Sequence, residues 1–178
     1  HKDAEKLIAD LIPAKISVSG VQRVLQNLLA EAVSIRDIPT ILEGIAEACP
    51  MTGSLTQITE HVRTRLSRQI SAQNSFDGSI AVVTLSPQWD EIFAESIIGQ
   101  GDDRHLAMAP SQIQAFIAAV REAFDGFAAN GELPCLLTSP PLRPYVRSII
   151  ERFRPATVVL SQNEIHTRAR LRSLGSIG

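Results

Sequence analysis

Arginine next to acidic residues, or repeated one helical turn apart, is the clearest chemistry in this sequence. Arg36 directly precedes Asp37, and Arg143 and Arg147 stand four residues apart. The guanidinium group presents its donors in a planar fork that suits carboxylates, so these residues could bind another subunit or a client protein. The local alternative is that Arg36 screens Asp37, and that Arg143 and Arg147 lie on a solvated helix face.

Two further candidates, Asn163 and Glu164, follow the end of a predicted strand. For them, too, both a local structural role and a contact with another protein stay open. They either cap a turn or form an exposed contact pair. Together with the two arginine pairs they make six candidate residues for contact with other proteins, and none of the six is predicted to be catalytic.

Residue patterns typical of enzymes and cofactor sites are weak here. The glycines of 99–101 lack the lysine–serine end of a P-loop and do not stand between a strand and a helix. His61 has Arg65, rather than a metal ligand, four residues on. Cys135 lies in an apolar strand, where nothing lowers its thiol pKa. We therefore predict a protein that is not an enzyme and that holds neither a metal nor a cofactor.

Composition also limits the class of partner. The chain has 178 residues, is 44% hydrophobic and 4% aromatic, and carries a net charge of −2, which argues against nucleic-acid binding. A helix-turn-helix is disfavoured because the second candidate helix carries Glu43 and Glu47 but no basic residue after Arg36. No apolar run is long enough to cross a bilayer. Cys49 and Cys135 are far apart in sequence, which is typical of reduced thiols.

A helical hairpin is predicted over residues 19–48, from apolar residues three and four positions apart. Ser17 or Ser19 can cap its first helix. Asp37 is favoured as the cap of the second, because a proline two residues later belongs in the first turn of a helix. We therefore place that helix at 38–48.

Helical patterns also flank the hairpin. Residues 2–12 form a short helix that ends at Pro13. Ser54 opens a capping box, and one apolar stripe then runs over 55–70. The opposite face of that helix is predicted to be solvated and carries Glu60, Arg63, Arg65 and Arg68.

The composition shifts to turn residues at 74–78, where we place the boundary between an all-helical subdomain, 1–75, and an α/β subdomain, 76–178. Strands are predicted at 80–85, 104–108, 134–138, 157–160 and, as an edge strand, within 168–177. Helices are predicted to begin at Ser86-Pro87, Pro110-Ser111 and Ser139-Pro140. Strands that alternate with helices indicate a mixed α+β or α/β fold with a sheet of four to five strands.

Three stretches, taken in this order, resemble a known family. They are RVLQNLLAEAVSIRDIPTILEGIAE at 23–47, TEHVRTRLSRQI at 59–70, and LLTSPPLRPYVRSII at 136–150 followed by VVLSQNEI at 158–165. Together they are similar to the C-terminal part of the cytoplasmic domain in the flagellar type III export-gate protein family, the FlhA family or FHIPEP. The combination is specific, although each stretch alone is not.

The resemblance implies a piece of a longer membrane protein, placed on the cytoplasmic side of the bacterial inner membrane. It implies a homo-oligomeric ring, nonameric in the family, that docks export chaperone–substrate complexes, the export ATPase complex and a partner gate protein. The family's chaperone pocket lies mainly in more N-terminal subdomains, so no chaperone-binding residue is assigned. On this basis Arg143→Ala is expected to leave the fold intact and to weaken export.

Two other functions stay open. One is the virulence-type secretion homologue of the same family. The other is a small α/β phosphate-binding or enzymatic domain, which would need converging polar groups at the strand ends. Ser86, Ser139 and Ser161 stand there, and each is better explained as a cap.

Overall fold

A computed structural model of the chain describes residues 2–178, so His1 lies outside the described residues. The chain divides into two compact units: unit 1, His1–Ile70, and unit 2, Ser71–Gly178. Ser71 belongs with unit 2 because its hydroxyl donates to the carbonyl oxygen of Glu164 and accepts from the amide of His166, both at 2.8 Å. The subdomain boundary expected between 75 and 76 stays a prediction.

Unit 1 contains helices and no strand in its described part, and three of its helices are capped as predicted. The side-chain oxygens of Ser17, Asp37 and Ser54 each accept a hydrogen bond from the backbone amide three residues on, at 3.0–3.3 Å. Its helices are α1 (Lys2–Leu11), α2 (Val18–Ala30), α3 (Ile38–Ala48) and α4 (Leu55–Arg65), with α5 (Ser67–Gln73) running on into unit 2.

The apolar stripe predicted over 55–70 spans two helices, because the structure divides this segment into α4 and α5. Leu66 has φ −94° and ψ 15°, and its amide bonds to the carbonyls of both Val62 and Arg63. Leu66 and Ile70 are nevertheless both buried. Apolar spacing is thus maintained across the break, which is why periodicity alone did not reveal it.

Helices α3 and α4 approach closely at Gly44. A Cβ atom at this position would lie 3.2 Å from Cγ2 and 3.3 Å from Cα of Val62. The glycine therefore lets the two backbones come together, and Ile41 and Ile45 beside it are fully buried.

Unit 2 contains a parallel four-stranded sheet in the order β5-β4-β1-β6, so the fold is mixed α/β as predicted. The tail strand lies at an edge, also as predicted. The strands are β1 (Ile80–Leu85), β2 (Ile97–Ile98), β3 (His105–Leu106), β4 (Cys135–Thr138), β5 (Val159–Ser161) and β6 (Leu171–Ile177). The helices are α6 (Pro87–Ser96), α7 (Pro110–Ala129) and α8 (Arg143–Ile150), and single 3-10 turns cover Gly101–Asp103 and Gln162–Glu164.

Two details of unit 2 differ from the sequence prediction. The short strand expected within 104–108 does not join the main sheet, because β3 pairs with β2 in a separate antiparallel hairpin. Ser139 does not cap a helix: its carbonyl accepts from the amides of Leu142 and Arg143 in a turn, and α8 begins only at Arg143. The consecutive prolines after Ser139 disfavour helical geometry in the residue before each of them.

Aromatic rings fill the centre of unit 2. The ring of Phe116 meets Trp89 at 5.2 Å and Phe93 at 4.9 Å between centroids, edge to face in both cases. Helix α7 thereby covers α6 in a core that also includes Leu136, Val146 and other apolar residues of β4 and α8.

Candidate functional site

Arg143 lies inside unit 2, not on a solvated helix face. The residue is only 1% exposed. Nη1 donates to the carbonyl oxygen of Val159 at 2.8 Å, and Nε stands 3.6 Å from Oε2 of Glu164. The guanidinium therefore ties the start of α8 to strand β5 and to the 3-10 turn that follows it.

Glu164 is the acidic partner of this buried pair and is also 1% exposed. Its Oε1 accepts from the amide of Ser161 at 3.1 Å, and its main-chain oxygen accepts from the Ser71 hydroxyl. One carboxylate thus closes the 3-10 turn and faces Arg143. A buried charge is tolerated when it is paired and hydrogen-bonded in this way.

Arg147 is also buried and binds the loop between α8 and β5. Its Nη1 donates to the carbonyl oxygens of Pro155 and Thr157, both at 3.1 Å, while its Nε lies 3.8 Å from Glu151. Arginine can bury its apolar stem when main-chain carbonyls receive its donors. The prediction that Arg143 and Arg147 lie on a solvated helix face is therefore wrong.

The remaining three candidates are exposed. The Asp37 carboxylate caps α3, accepting from the amide of Thr40 at 3.3 Å and from its hydroxyl at 2.7 Å. Arg36 lies beside it at the surface of unit 1. Asn163 is exposed at the centre of the 3-10 turn that Glu164 closes. A contact role for Arg36, Asp37 and Asn163 stays a prediction.

Arg63 is a third buried arginine that was predicted to lie on a solvated face, and that prediction is wrong. Its side chain is 2% exposed, and Nη1 lies 3.7 Å from Oε2 of Glu31, the C-cap residue of α2. The signal was present in the sequence, because Arg63 directly follows Val62 and borders the apolar stripe of α4.

The surface between α3 and α4 carries a separate set of ion pairs. Arg65 reaches Glu43 at 2.9 Å and Glu47 at 3.1 Å, and Nε2 of His61 lies 2.7 Å from Glu47. These side chains are more than one-third exposed, so we assign them a modest contribution to stability.

One exposed ion pair lies beside the edge strand. Arg172 binds Glu132 through two parallel hydrogen bonds, both 2.8 Å long. The hydrogen bond from Arg172 holds the pKa of the Glu132 carboxyl below its usual range, and the same bond raises the pKa of Arg172. This bidentate geometry fixes the start of β6 to the loop before β4.

The two cysteines lie in surroundings that disfavour their thiolate forms. Burial raises the pKa of the Cys135 thiol to about 11, and burial also raises the pKa of Cys49. Across residues 2–178, no group of three or more His, Cys, Asp or Glu side chains is arranged to hold a metal ion. None of the described helices has both the length and the apolar character needed to cross a membrane.

Cys135 should therefore resist thiol reagents while the chain is folded. At pH 8, alkylation is expected to be about a hundredfold slower in the folded chain than in urea, because the raised pKa leaves so little thiolate. A Cys49→Ser variant leaves one thiol, and mass spectrometry follows its reaction with iodoacetamide. Equal rates in both conditions would contradict the burial of this thiol.

Comparison with known proteins gives a consistent set of matches. The model of the FHIPEP family matches residues 1–170. The chain is 57% identical over 174 residues to the flagellar biosynthesis protein FlhA of Caulobacter vibrioides, covering 97% of this chain and 25% of that protein. It spans about a quarter of the length of the curated relatives it matches.

Solved structures agree over nearly the whole chain. Nonameric EPEC SctV-C matches with a TM-score of 0.85 and 25% identity, over 99% of this chain and 53% of that one. The complex of Chlamydia pneumoniae CdsV and CdsO matches with a TM-score of 0.82 and 28% identity, over 99% of this chain and 51% of that one. In each case the similarity extends across both units.

Proposed function

The chain belongs to the FHIPEP family, and on that premise we propose that it is part of a bacterial flagellar type III protein export gate. The observation that carries the flagellar assignment is the 57% identity to a flagellar relative over 97% of the chain. The secretion protein CdsV, by contrast, is 28% identical. The virulence-type homologue is accordingly the second candidate.

We propose a ring scaffold on the cytoplasmic side of the bacterial inner membrane. A nonameric assembly of the similar SctV-C supports a homo-oligomeric ring. A complex between the similar CdsV and the protein CdsO supports the docking of other export components. For this chain the proposed partners are export chaperone–substrate complexes, the export ATPase complex and a partner gate protein.

A role that is not enzymatic is supported by what the polar groups near the carboxyl ends of the strands do. The hydroxyl of Ser86 caps α6 by accepting from the amide of Trp89 at 3.4 Å. Arg143 and Glu164 bind each other and the main chain of β5 and its following turn. These side chains are engaged in holding the fold, whereas a phosphate-binding or catalytic domain needs such groups to be directed at a ligand.

Among the six candidate residues, we propose two kinds of role. Arg36, Asp37 and Asn163 are exposed and would meet partner proteins directly. Arg143, Arg147 and Glu164 are buried and would act as positioning residues, because Glu164 and Arg143 hold the turn that presents Asn163. Arg143 and Glu164 are thus expected to influence contacts only through the geometry of this turn, and Arg147 only through the loop between α8 and β5.

A domain exchange tests the proposed function. The matching quarter of Caulobacter vibrioides FlhA is replaced by this chain, and swimming is measured on soft agar in a strain that lacks its own copy. We expect motility well above that of an exchange with the matching part of CdsV, because the identity to the flagellar protein is twofold higher. A non-motile strain with a normal level of the exchanged protein would contradict the flagellar assignment.

The same domain exchange tests whether Asn163, one of the exposed candidates, contributes to contacts with partner proteins. Asn163→Ala is expected to reduce motility, while Gln162→Ala, its exposed neighbour in the same 3-10 turn, serves as the matched control. Both variants are expected to accumulate to the level of the parent exchange. Equal motility in the two would remove Asn163 from the contact surface.

A further inference from the structure

Strand β6 leaves one side of the main sheet open. It is the last strand in the order β5-β4-β1-β6 and pairs only with β1. The carbonyl of Arg170 accepts from the amide of Ile80 at 2.8 Å, so the main-chain groups at residue 170 face β1. Because these groups alternate along a strand, Arg172 also faces β1, while Leu171 and Ser173 present an amide and a carbonyl to the open side.

This open side is accessible. Residues 170–173 are all exposed, and Leu171 retains 46% of its surface. Within the part of the chain that the structure describes, no other strand pairs with this side of β6. An edge of this kind can accept an extended segment as an additional strand.

The charge beside this edge selects among the segments that could pair with it. Arginine recurs at every second position here, at Arg168, Arg170 and Arg172. Of these three, Arg172 alone forms an ion pair within residues 2–178, and its partner is Glu132. Two copies of β6 placed side by side would bring these arginines together, and like charges on adjacent strands are destabilising. An acidic strand would instead find complementary charge.

Apolar side chains mark the same end of the sheet. Leu133 precedes β4 by two residues and Phe76 lies in the turn before β1, and each is 82% exposed. Since β4, β1 and β6 are parallel neighbours, Leu133, Phe76 and Leu171 all lie at the edge where these strands begin. Leu171 belongs to the open edge itself, so an incoming segment would need an apolar residue to pack against it as well as acidic residues.

We propose that the open side of β6 binds an extended segment of a partner protein in which acidic and apolar residues alternate, as a fifth strand of the sheet. The main-chain groups of Leu171 and Ser173 would bond to the segment, and Arg168 and Arg170 would face its carboxylates. The proposal goes beyond the export-gate function, because strand pairing at this edge uses residues of this chain alone and does not require an assembled export gate. Its failure would leave the export-gate proposal standing.

The probe is a fluorescein-labelled synthetic peptide in which glutamate alternates with valine and threonine, titrated with the 178-residue chain at low ionic strength. We expect saturable binding that weakens at least about tenfold in Arg170→Glu. Arg104→Glu, an exposed arginine outside the edge, is the matched charge control and should bind the peptide with little change. The same peptide with N-methyl groups on alternate residues should not bind, because it cannot pair as a strand.

Amide hydrogen exchange by NMR distinguishes strand addition from simple charge attraction. Peptide binding should slow exchange at Leu171 and Ser173 and leave Arg172, which already faces β1, nearly unchanged. Binding without this protection, or equal binding by Arg170→Glu, would overturn the proposal. So would a dimer of the chain that protects Leu171 and Ser173 in the absence of peptide, since the edge would then belong to a second copy.

Discussion

Arg143→Ala is expected to lower the free energy of unfolding of unit 2 by about 3–5 kcal/mol, which reverses the expectation from sequence that this substitution leaves the fold intact. The substitution leaves the carboxylate of Glu164 buried opposite a cavity, and it removes the 2.8 Å hydrogen bond to the carbonyl of Val159. An unpaired buried charge costs much more than the ion pair itself contributes. Urea unfolding measures the loss, followed by fluorescence of Trp89, the one tryptophan of the chain, which lies in the core of unit 2.

Two further variants identify the cause of that loss. Arg152→Ala removes an exposed arginine that follows the same helix and should change stability by less than about 0.5 kcal/mol. In the double variant Arg143→Met with Glu164→Gln, the glutamine keeps an acceptor for the amide of Ser161 while neither charge of this pair stays buried. The double variant should therefore be more stable than Arg143→Ala. If it is equally unstable, the loss comes from packing and not from the stranded carboxylate.

Features fixed by neighbouring residues could be predicted from the sequence. The caps at Ser17, Asp37 and Ser54 each depend on a side chain and an amide three residues apart, and all three are confirmed. Strands at 80–85, 134–138 and 157–160 were likewise predicted, the first from its β-branched run, and the edge position of β6 was predicted from its charged alternation. The family resemblance seen in three separate stretches is confirmed by the FHIPEP match over residues 1–170.

Features that depend on distant residues could not be predicted in this way. Arg143 is buried because Val159 and Glu164, sixteen and twenty-one positions further on, supply its acceptors. Nothing in the helical pattern of 143–150 reveals those acceptors, so the usual exposure of arginine decided the prediction. The same reasoning applies to the short strand β3, which found its partner in β2 and not in the main sheet.

The six candidate contact residues also differ in whether nearby or distant residues determine their exposure. Arg36, Asp37 and Asn163 stand in turns or at a helix start, where exposure follows from local structure, and the structure places them at the surface. Arg147 in α8 and Glu164 in the 3-10 turn after β5 are buried instead, by contacts with the chain before and after β5. A charged residue in a helix that precedes a strand can therefore be assigned to a contact surface only when the following strand offers no acceptors that would bury it.

Arg63→Ala should be the corresponding substitution in unit 1, with an expected loss of about 3 kcal/mol in the free energy of unfolding of that unit. Arg63 is 2% exposed, and its removal takes away the guanidinium that stands 3.7 Å from the half-buried carboxylate of Glu31, the C-cap residue of α2. Unit 1 contains neither tryptophan nor tyrosine. The loss is therefore best measured by hydrogen exchange of the amides in α2, α3 and α4, analysed by mass spectrometry of peptic fragments.

Arg65→Ala is the matched control, because it lies two residues away on the same helix and its ion pairs with Glu43 and Glu47 are more than one-third exposed. Its expected cost is below about 1 kcal/mol, since water and salt screen exposed pairs. Arg63→Lys keeps the charge but lacks the planar fork, and it should fall between the two alanine variants. Equal losses of stability in Arg63→Ala and Arg65→Ala would mean that burial does not determine how much each arginine stabilises the fold. The assignment of Arg143 as a structural residue would then lose its physical basis as well.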